Sequence, residues 1–153
     1  MRYRYWDSCC FIGLLKAEED KVDKCKDAAQ LAQRGELTIV TSALTLTEVL
    51  RLKGKDPIPP EDARTVRDFF RNRWIVVYDV DRIVAESAQD LVWNHGVKPK
   101  DAIHLATALA TTKAVAIEQL DTFDGPLIAL SGQLGDPPLK IGEPDLPPSM
   151  FHD

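Results

Sequence analysis

Asp7, Glu48, Asp101 and Asp124 are four carboxylates whose settings in the sequence allow them to meet at one place. Asp7 falls where a short apolar strand should end, and Asp124 falls just past a second such segment that ends near Leu120. In an open parallel sheet, ligands collect outside the carboxyl ends of the strands, so both acids reach one crevice. Glu48 lies within ALTLTEVL, where Leu44, Leu46, Val49 and Leu50 predict a mostly buried helix. A carboxylate among apolar neighbours is costly unless a cation or hydrogen-bond donors compensate it, although Glu48 could equally face solvent or pair with Arg51. Asp101 opens KDAIHLATALA, a position the helix dipole favours for an acid whatever else it does. Four oxygen ligands without sulfur or imidazole suit Mg2+ or Mn2+ rather than zinc. Such ions polarise a phosphoryl oxygen, activate a water and stabilise a leaving oxygen, which is the chemistry of phosphodiester hydrolysis.

The remaining residues with chemical potential are less pointed. His104 lies one turn beyond Asp101 on the same helix face, and it is expected to be a hydrogen-bonded packing residue rather than a ligand. Cys9, Cys10 and Cys25 form no CxxC pair and no zinc-type spacing with His95, His104 or His152, so inert reduced thiols are expected. Basic residues cluster at Arg51, Lys53 and Lys55 and again at Arg64, Arg67, Arg71 and Arg73. These clusters fit a solvated helix face and a phosphate track equally well.

Helices alternating with short apolar strands must position the acids. Strands are predicted at 3–6, 37–40, 74–78, within 115–120, and at an edge over 139–141. Helices are predicted at 10–15, 20–34, 43–52, 61–71, 81–94 and 100–111, with a linker over 53–60 and turns at 95–99 and at Gly125–Pro126. Gly35 stops the second helix, and Ser42 is placed to cap the third. This alternation implies an α/β class, in three layers around a mainly parallel sheet. One domain over residues 1–142 is expected, with a Pro-rich irregular tail over 143–153.

The bulk properties agree with a globular domain: 153 residues, 44% hydrophobic and 28% charged. No apolar run reaches the roughly 18 residues of a membrane helix. An acid arrives before any apolar stretch in MRYRYWDSCC, so no signal peptide is read and a cytoplasmic location is expected. The net charge of −5 argues against a protein that merely coats nucleic acid, but not against a nuclease built on carboxylates.

Taken with their flanking residues, the four acids resemble the motifs of the PIN-domain family. YWDSCCFIGLL is similar to its first-strand motif and TSALTLTEVL to the second, which carries the Glu. KPKDAIHLATAL is a close match to the third, and LDTFDGPL resembles the final T-x-D motif. The resemblance runs from about Arg2 to Ile141 with the motifs in order. It implies a compact parallel α/β ribonuclease using Mg2+ or Mn2+, with Asp7, Asp101 and Asp124 as metal ligands and Glu48 completing the catalytic set. Ser8, Thr122 and Asp121 are implied as supporting residues. Small members are commonly VapC-like toxins, so the resemblance further implies an RNA substrate, an inhibiting antitoxin and a homodimer.

Three departures accompany it. Cys9 stands where the family often has Ser or Asn, so a supporting hydrogen bond is expected to be lost. TTKAVAIEQL is longer than the usual spacing, and Asp121 occupies a usually apolar position, which leaves Asp121 and Asp124 both open as the last ligand. Two other readings compete. A haloacid-dehalogenase-type phosphatase wants a second Asp where Cys9 stands, and a non-catalytic RNA-binding or protein-interaction module would not need the full acidic set.

Overall fold

The computed structural model describes residues 1–17, 19–51 and 58–145. Five strands make one sheet: β1 (Tyr3–Trp6), β2 (Thr38–Ser42), β3 (Ile75–Tyr78), β4 (Ile117–Asp121) and β5 (Ile141–Gly142). All neighbours pair parallel, in the order β3-β2-β1-β4-β5. The order reverses direction between β1 and β4, which makes the gap past their carboxyl ends the place where a parallel sheet opens a crevice.

Strand alternation sends successive residues of β1 to opposite faces. Tyr5 packs with Val40 and Leu120 in one apolar cluster, and Trp6 packs with Ile39 and Ile75 in another. The Trp6 cluster is completed by α1 (Ser8–Leu15), α2 (Val22–Gln33) and α4 (Pro60–Phe69). The Tyr5 cluster is completed by α5 (Arg82–His95), α6 (Pro99–Thr111) and α7 (Gly125–Ile128). Two helical layers therefore enclose one sheet. The expected three-layer arrangement is found, with seven helices among the described residues.

Local chemistry explains most boundaries. Asp81 caps α5 by accepting from Val84 N at 2.8 Å, and Gly96 ends it in the left-handed region with φ 65°, which glycine adopts without a Cβ clash. Pro99 opens α6 at a position where its missing N–H costs nothing. On α4, Val66, Phe69 and Phe70 turn inward while Arg64, Arg67 and Arg71 stay exposed.

Three sequence expectations fail here. The first is the Ser42 cap: Ser42 ends β2 and accepts from Leu44 N at 3.1 Å, and the third helix starts after Leu44 with no side-chain cap. The predicted helix over 43–52 is only α3 (Thr45–Glu48). Thr47 Oγ1 donates to Leu44 O at 2.8 Å, and the backbone around it forms tight three-residue bonds such as Leu46 N to Ala43 O. Such local side-chain bonds compete with a regular helix, and Leu46 is left 39% exposed rather than buried. Conversely, the turn expected at Gly125–Pro126 is the first turn of α7, because Asp124 caps it and Pro126 suits its start. The linker and tail fall largely on residues 52–57 and 146–153, outside the described residues.

Candidate active site

Asp7 is the first residue past β1 and the N-cap of α1, and it is 5% exposed. Its Oδ1 accepts from Cys9 N at 3.1 Å and from Cys9 Sγ at 2.8 Å, and its Oδ2 accepts from Thr122 Oγ1 at 2.5 Å. Thr122 is the first residue past β4, so this bond spans the crevice between the two strands. The same hydroxyl accepts from Asp124 N at 3.0 Å, while Asp124 Oδ2 caps α7 at Leu127 N, also 3.0 Å. The T-x-D segment is thereby fixed to Asp7 through one hydroxyl.

Glu48, at the end of α3, is held from α6. His104 Nε2 lies 2.7 Å from Glu48 Oε1, and His104 Nδ1 lies 2.8 Å from the Tyr5 hydroxyl. A carboxylate acceptor requires Nε2–H, which leaves Nδ1 to accept from Tyr5. His104 is 1% exposed and Tyr5 fully buried, so the relay runs through the interior and fixes the Glu48 carboxylate. His104 is thus the packing residue expected, with a positioning role added.

Asp101 sits in the first turn of α6 and is half-buried, and its carboxylate accepts no hydrogen bond among the described residues. It shares a groove with Asp124, Lys98 and His95. A second groove is lined by Ser8, Cys9, Glu48, Arg51 and Lys100. Ser8 contributes no side-chain hydrogen bond among the described residues; the hydroxyl that supports Asp7 is Thr122.

Electrostatics links Asp101 with Asp124 and Glu48 and sets Asp7 beside Cys9. Burial pushes Asp7 well above the usual carboxylate range, the neighbouring Cys9 charge adds to this, and His104 partly offsets it. Burial also raises Asp101, followed by repulsion from Asp124 and, more weakly, from Glu48, with His104 and Lys98 opposing. Cys9 is lowered to about 6, chiefly by its hydrogen bond with Cys10 and against its own burial. Among the described residues, no three carboxylates bring their oxygens within 4.8 Å of one another. Asp101 and Asp124 share one groove and Glu48 lines the next, a spacing that suits a hard cation that keeps several waters and binds through one or two carboxylates and substrate phosphate. The donor chemistry therefore fits Mg2+ or Mn2+.

Asp121 stands apart. It is fully buried and accepts from Arg4 Nη1 (3.0 Å), Trp6 Nε1 (3.0 Å) and Gln119 Nε2 (2.8 Å). Burial raises it to about 7 even against the Arg4 charge. Its oxygens are committed to the interior of the fold, whereas Asp124 lies at the groove with Asp101.

The PIN domain model matches residues 4–130. The chain belongs to the PIN domain family. Two solved structures show the same fold at low identity. One is a toxin–antitoxin complex from Klebsiella pneumoniae: 18% identity, TM-score 0.52, covering 79% of this chain and 86% of that one. The other is VapC20 of Mycobacterium tuberculosis, a toxin that cleaves the sarcin–ricin loop: 19% identity, TM-score 0.58, covering 79% and 89%. No curated protein matches the chain in sequence. Within this PIN domain, the hydrogen bond expected to be lost at Cys9 is present. Both the Cys9 thiol and its backbone N–H reach Asp7, because an N2 residue of α1 faces the cap whatever its side chain. The Tyr5–His104–Glu48 relay was not read from sequence. The only signal available was the placement of one imidazole on the buried face of α6, three residues after Asp101.

Proposed function

We propose that this PIN domain is a Mg2+- or Mn2+-dependent ribonuclease, the toxin of a toxin–antitoxin pair. What supports the reading is that Asp101 shares a groove with Asp124 and is repelled by it and by Glu48, while Thr122 ties Asp7 to Asp124 past the carboxyl ends of β1 and β4, where the strand order reverses. Asp7, Asp101 and Asp124 are the residues that would hold the ion. When bound, the ion supplies Lewis acidity to a phosphoryl oxygen and acidifies water. Glu48, oriented by His104 Nε2, accepts the proton of the attacking water. Thr122 and Cys9 orient Asp7, and Lys98 and Lys100 at the groove margins draw in the phosphate backbone. An antitoxin would restrain the enzyme by setting an Arg among the carboxylates, since its planar fork pairs bidentately with them. The active species would be a cytoplasmic homodimer. Among the described residues no helix is long and apolar enough to cross a membrane.

The test is cleavage of a mixed single-stranded RNA pool by purified protein with Mg2+, with Mn2+, and with excess EDTA. Cleavage only in the metal arms, reduced by orders of magnitude in Asp7→Asn and Asp101→Asn, is expected. Full activity in EDTA overturns the reading, and RNA binding without metal-stimulated cleavage would make the chain a non-catalytic PIN module.

A further inference from the structure

The tightest grouping of metal-ligating atoms among the described residues is not the set of four acids. An Asp7 carboxylate oxygen, Cys9 Sγ and Cys10 Sγ all lie within 4.8 Å of one another. We propose that these three donors form a second cation site, selective for a thiophilic ion of the Zn2+ class and overlapping the hard-metal site at Asp7.

The geometry is close to what such an ion takes. With Zn–S near 2.3 Å and a tetrahedral angle, two thiolate donors stand about 3.8 Å apart, so the cluster closes by shifts of about 1 Å or less. Asp7, Cys9 and Cys10 are N-cap, N2 and N3 of α1, so one rigid turn carries all three. Cys9 already accepts a hydrogen bond from Phe123 N at 3.3 Å, the kind of backbone donation that steadies a ligating thiolate. Cys10 Sγ donates to Asp121 O at 3.2 Å, and on binding the cation takes the place of that proton, which leaves to solvent with the one on Cys9. Cys9 is half-buried and lines the groove with Ser8, Glu48 and Lys100, which gives an ion its route and a water for the fourth position. Two sulfurs among three donors set the preference, because soft ligands select zinc-like ions over Mg2+. The third thiol, Cys25, is fully buried and neighbours Cys10, but it lies outside this group.

Binding does not depend on the ribonuclease reading; only its consequence does. If Asp7 serves both sites, Zn2+ excludes the hard ion and silences RNA cleavage, so the thiols would act as a built-in zinc brake. The experiment is a titration of reduced, metal-free full-length protein with Cd2+, followed by thiolate-to-metal charge-transfer absorption in the ultraviolet, in excess Mg2+. One Cd2+ per chain with a thiolate band is expected, and Zn2+ should displace it. Cys9→Ser should weaken Cd2+ at least about tenfold and diminish the band, whereas Cys25→Ala should keep both. No thiolate band in wild type, a band untouched by Cys9→Ser, or one abolished by Cys25→Ala in a chain that circular dichroism shows folded overturns the site. Should Cys10→Ala fail to fold, the half-buried Cys9 variant still decides. Manganese-supported RNA cleavage is read separately. Its loss on adding Zn2+ supports the shared Asp7, and its persistence at full Zn2+ occupancy refutes the brake. An absence of cleavage under every condition sinks the ribonuclease reading and leaves the Cd2+ result standing.

Discussion

Replacing Asp7 by Asn separates a metal ligand from a structural cap. In the metal-free protein the substitution preserves most of what Asp7 does locally. Asn caps helices about as well as Asp, and its amide oxygen can still accept from Cys9 N. The amide N–H2 would then face Thr122 Oγ1, which retains a lone pair beside the one used by Asp124 N. The loss is the difference between a charged and a neutral acceptor, roughly 1 kcal/mol. Against it, the variant is relieved of a buried charge. Because burial and the Cys9 charge raise Asp7, the native state keeps its proton after the unfolded chain has released one. Its contribution to stability therefore falls as pH climbs above about 4, and metal-free Asp7→Asn should gain on wild type across that rise. Mn2+ reverses the ranking. At a hundredfold excess over its dissociation constant a ligand stabilises the native state by about 2.7 kcal/mol. For a chain of 153 residues that is about 5–10 °C in Tm. Wild type should show this shift and Asp7→Asn little of it. Thermal melts of both proteins at pH 5 and pH 8, in EDTA and in Mn2+, supply the comparison. Equal metal-induced shifts would remove Asp7 from the ion, and a variant much weaker than wild type in EDTA at pH 8 would show that its role is capping.

Other outcomes follow from the same contacts. Asp124→Asn should cut RNA cleavage by orders of magnitude while Asp121→Asn leaves most of it; initial rates on one RNA substrate rank them, and the reverse order would place the final ligand at Asp121. Asp121 is raised from 3.8 to about 7, so its net effect is to cost stability, up to about 4 kcal/mol, as pH rises from about 4 to about 7; urea unfolding in EDTA should be less pH-dependent in Asp121→Asn than in wild type. Tyr5→Phe removes the donor to His104 Nδ1 and should cost about 1–3 kcal/mol in urea unfolding, with a smaller loss of kcat than Glu48→Gln. An unchanged midpoint there would show that the Tyr5–His104 hydrogen bond does not stabilise the fold.

The fold was legible wherever one periodicity ruled a segment. β1, β3, α5 and α6 fall within a residue or two of their expected bounds because apolar spacing and caps agree there. Legibility failed where local polar chemistry overrode the pattern. The segment 43–52 has leucines at helical spacing, yet Thr45 and Thr47 turn their hydroxyls to Thr41 and to the backbone, and only one turn of helix survives. At Asp124–Gly125–Pro126 the opposite error arises. Gly and Pro suggest a break, but Asp before a Pro near the first helical turn is also a start signal, and its capping bond to Leu127 N decides for the helix.

Asp7, Asp101 and Asp124 could be picked out because each falls at an expected element boundary, and Glu48 because it is a carboxylate among apolar neighbours. Their partners could not, since the bonds that orient them join residues far apart in sequence: Tyr5 to His104 and Asp7 to Thr122. Asp121 against Asp124 is the instructive case, because the sequence does hold an answer of a kind. β1 carries Arg4 two residues before Trp6, and β4 carries Gln119 two residues before Asp121. Once Trp6 is set opposite Asp121 in the sheet, alternation puts these four on one face. A cation buried in one strand then needs anions in the next, and Arg4 takes Asp121 at 3.0 Å, with Glu118 3.6 Å from its Nε. An Asp so engaged has little left for an ion in the crevice. Asp124, three residues on and past the end of the strand, keeps one oxygen on the helix it caps and lies at the groove beside Asp101.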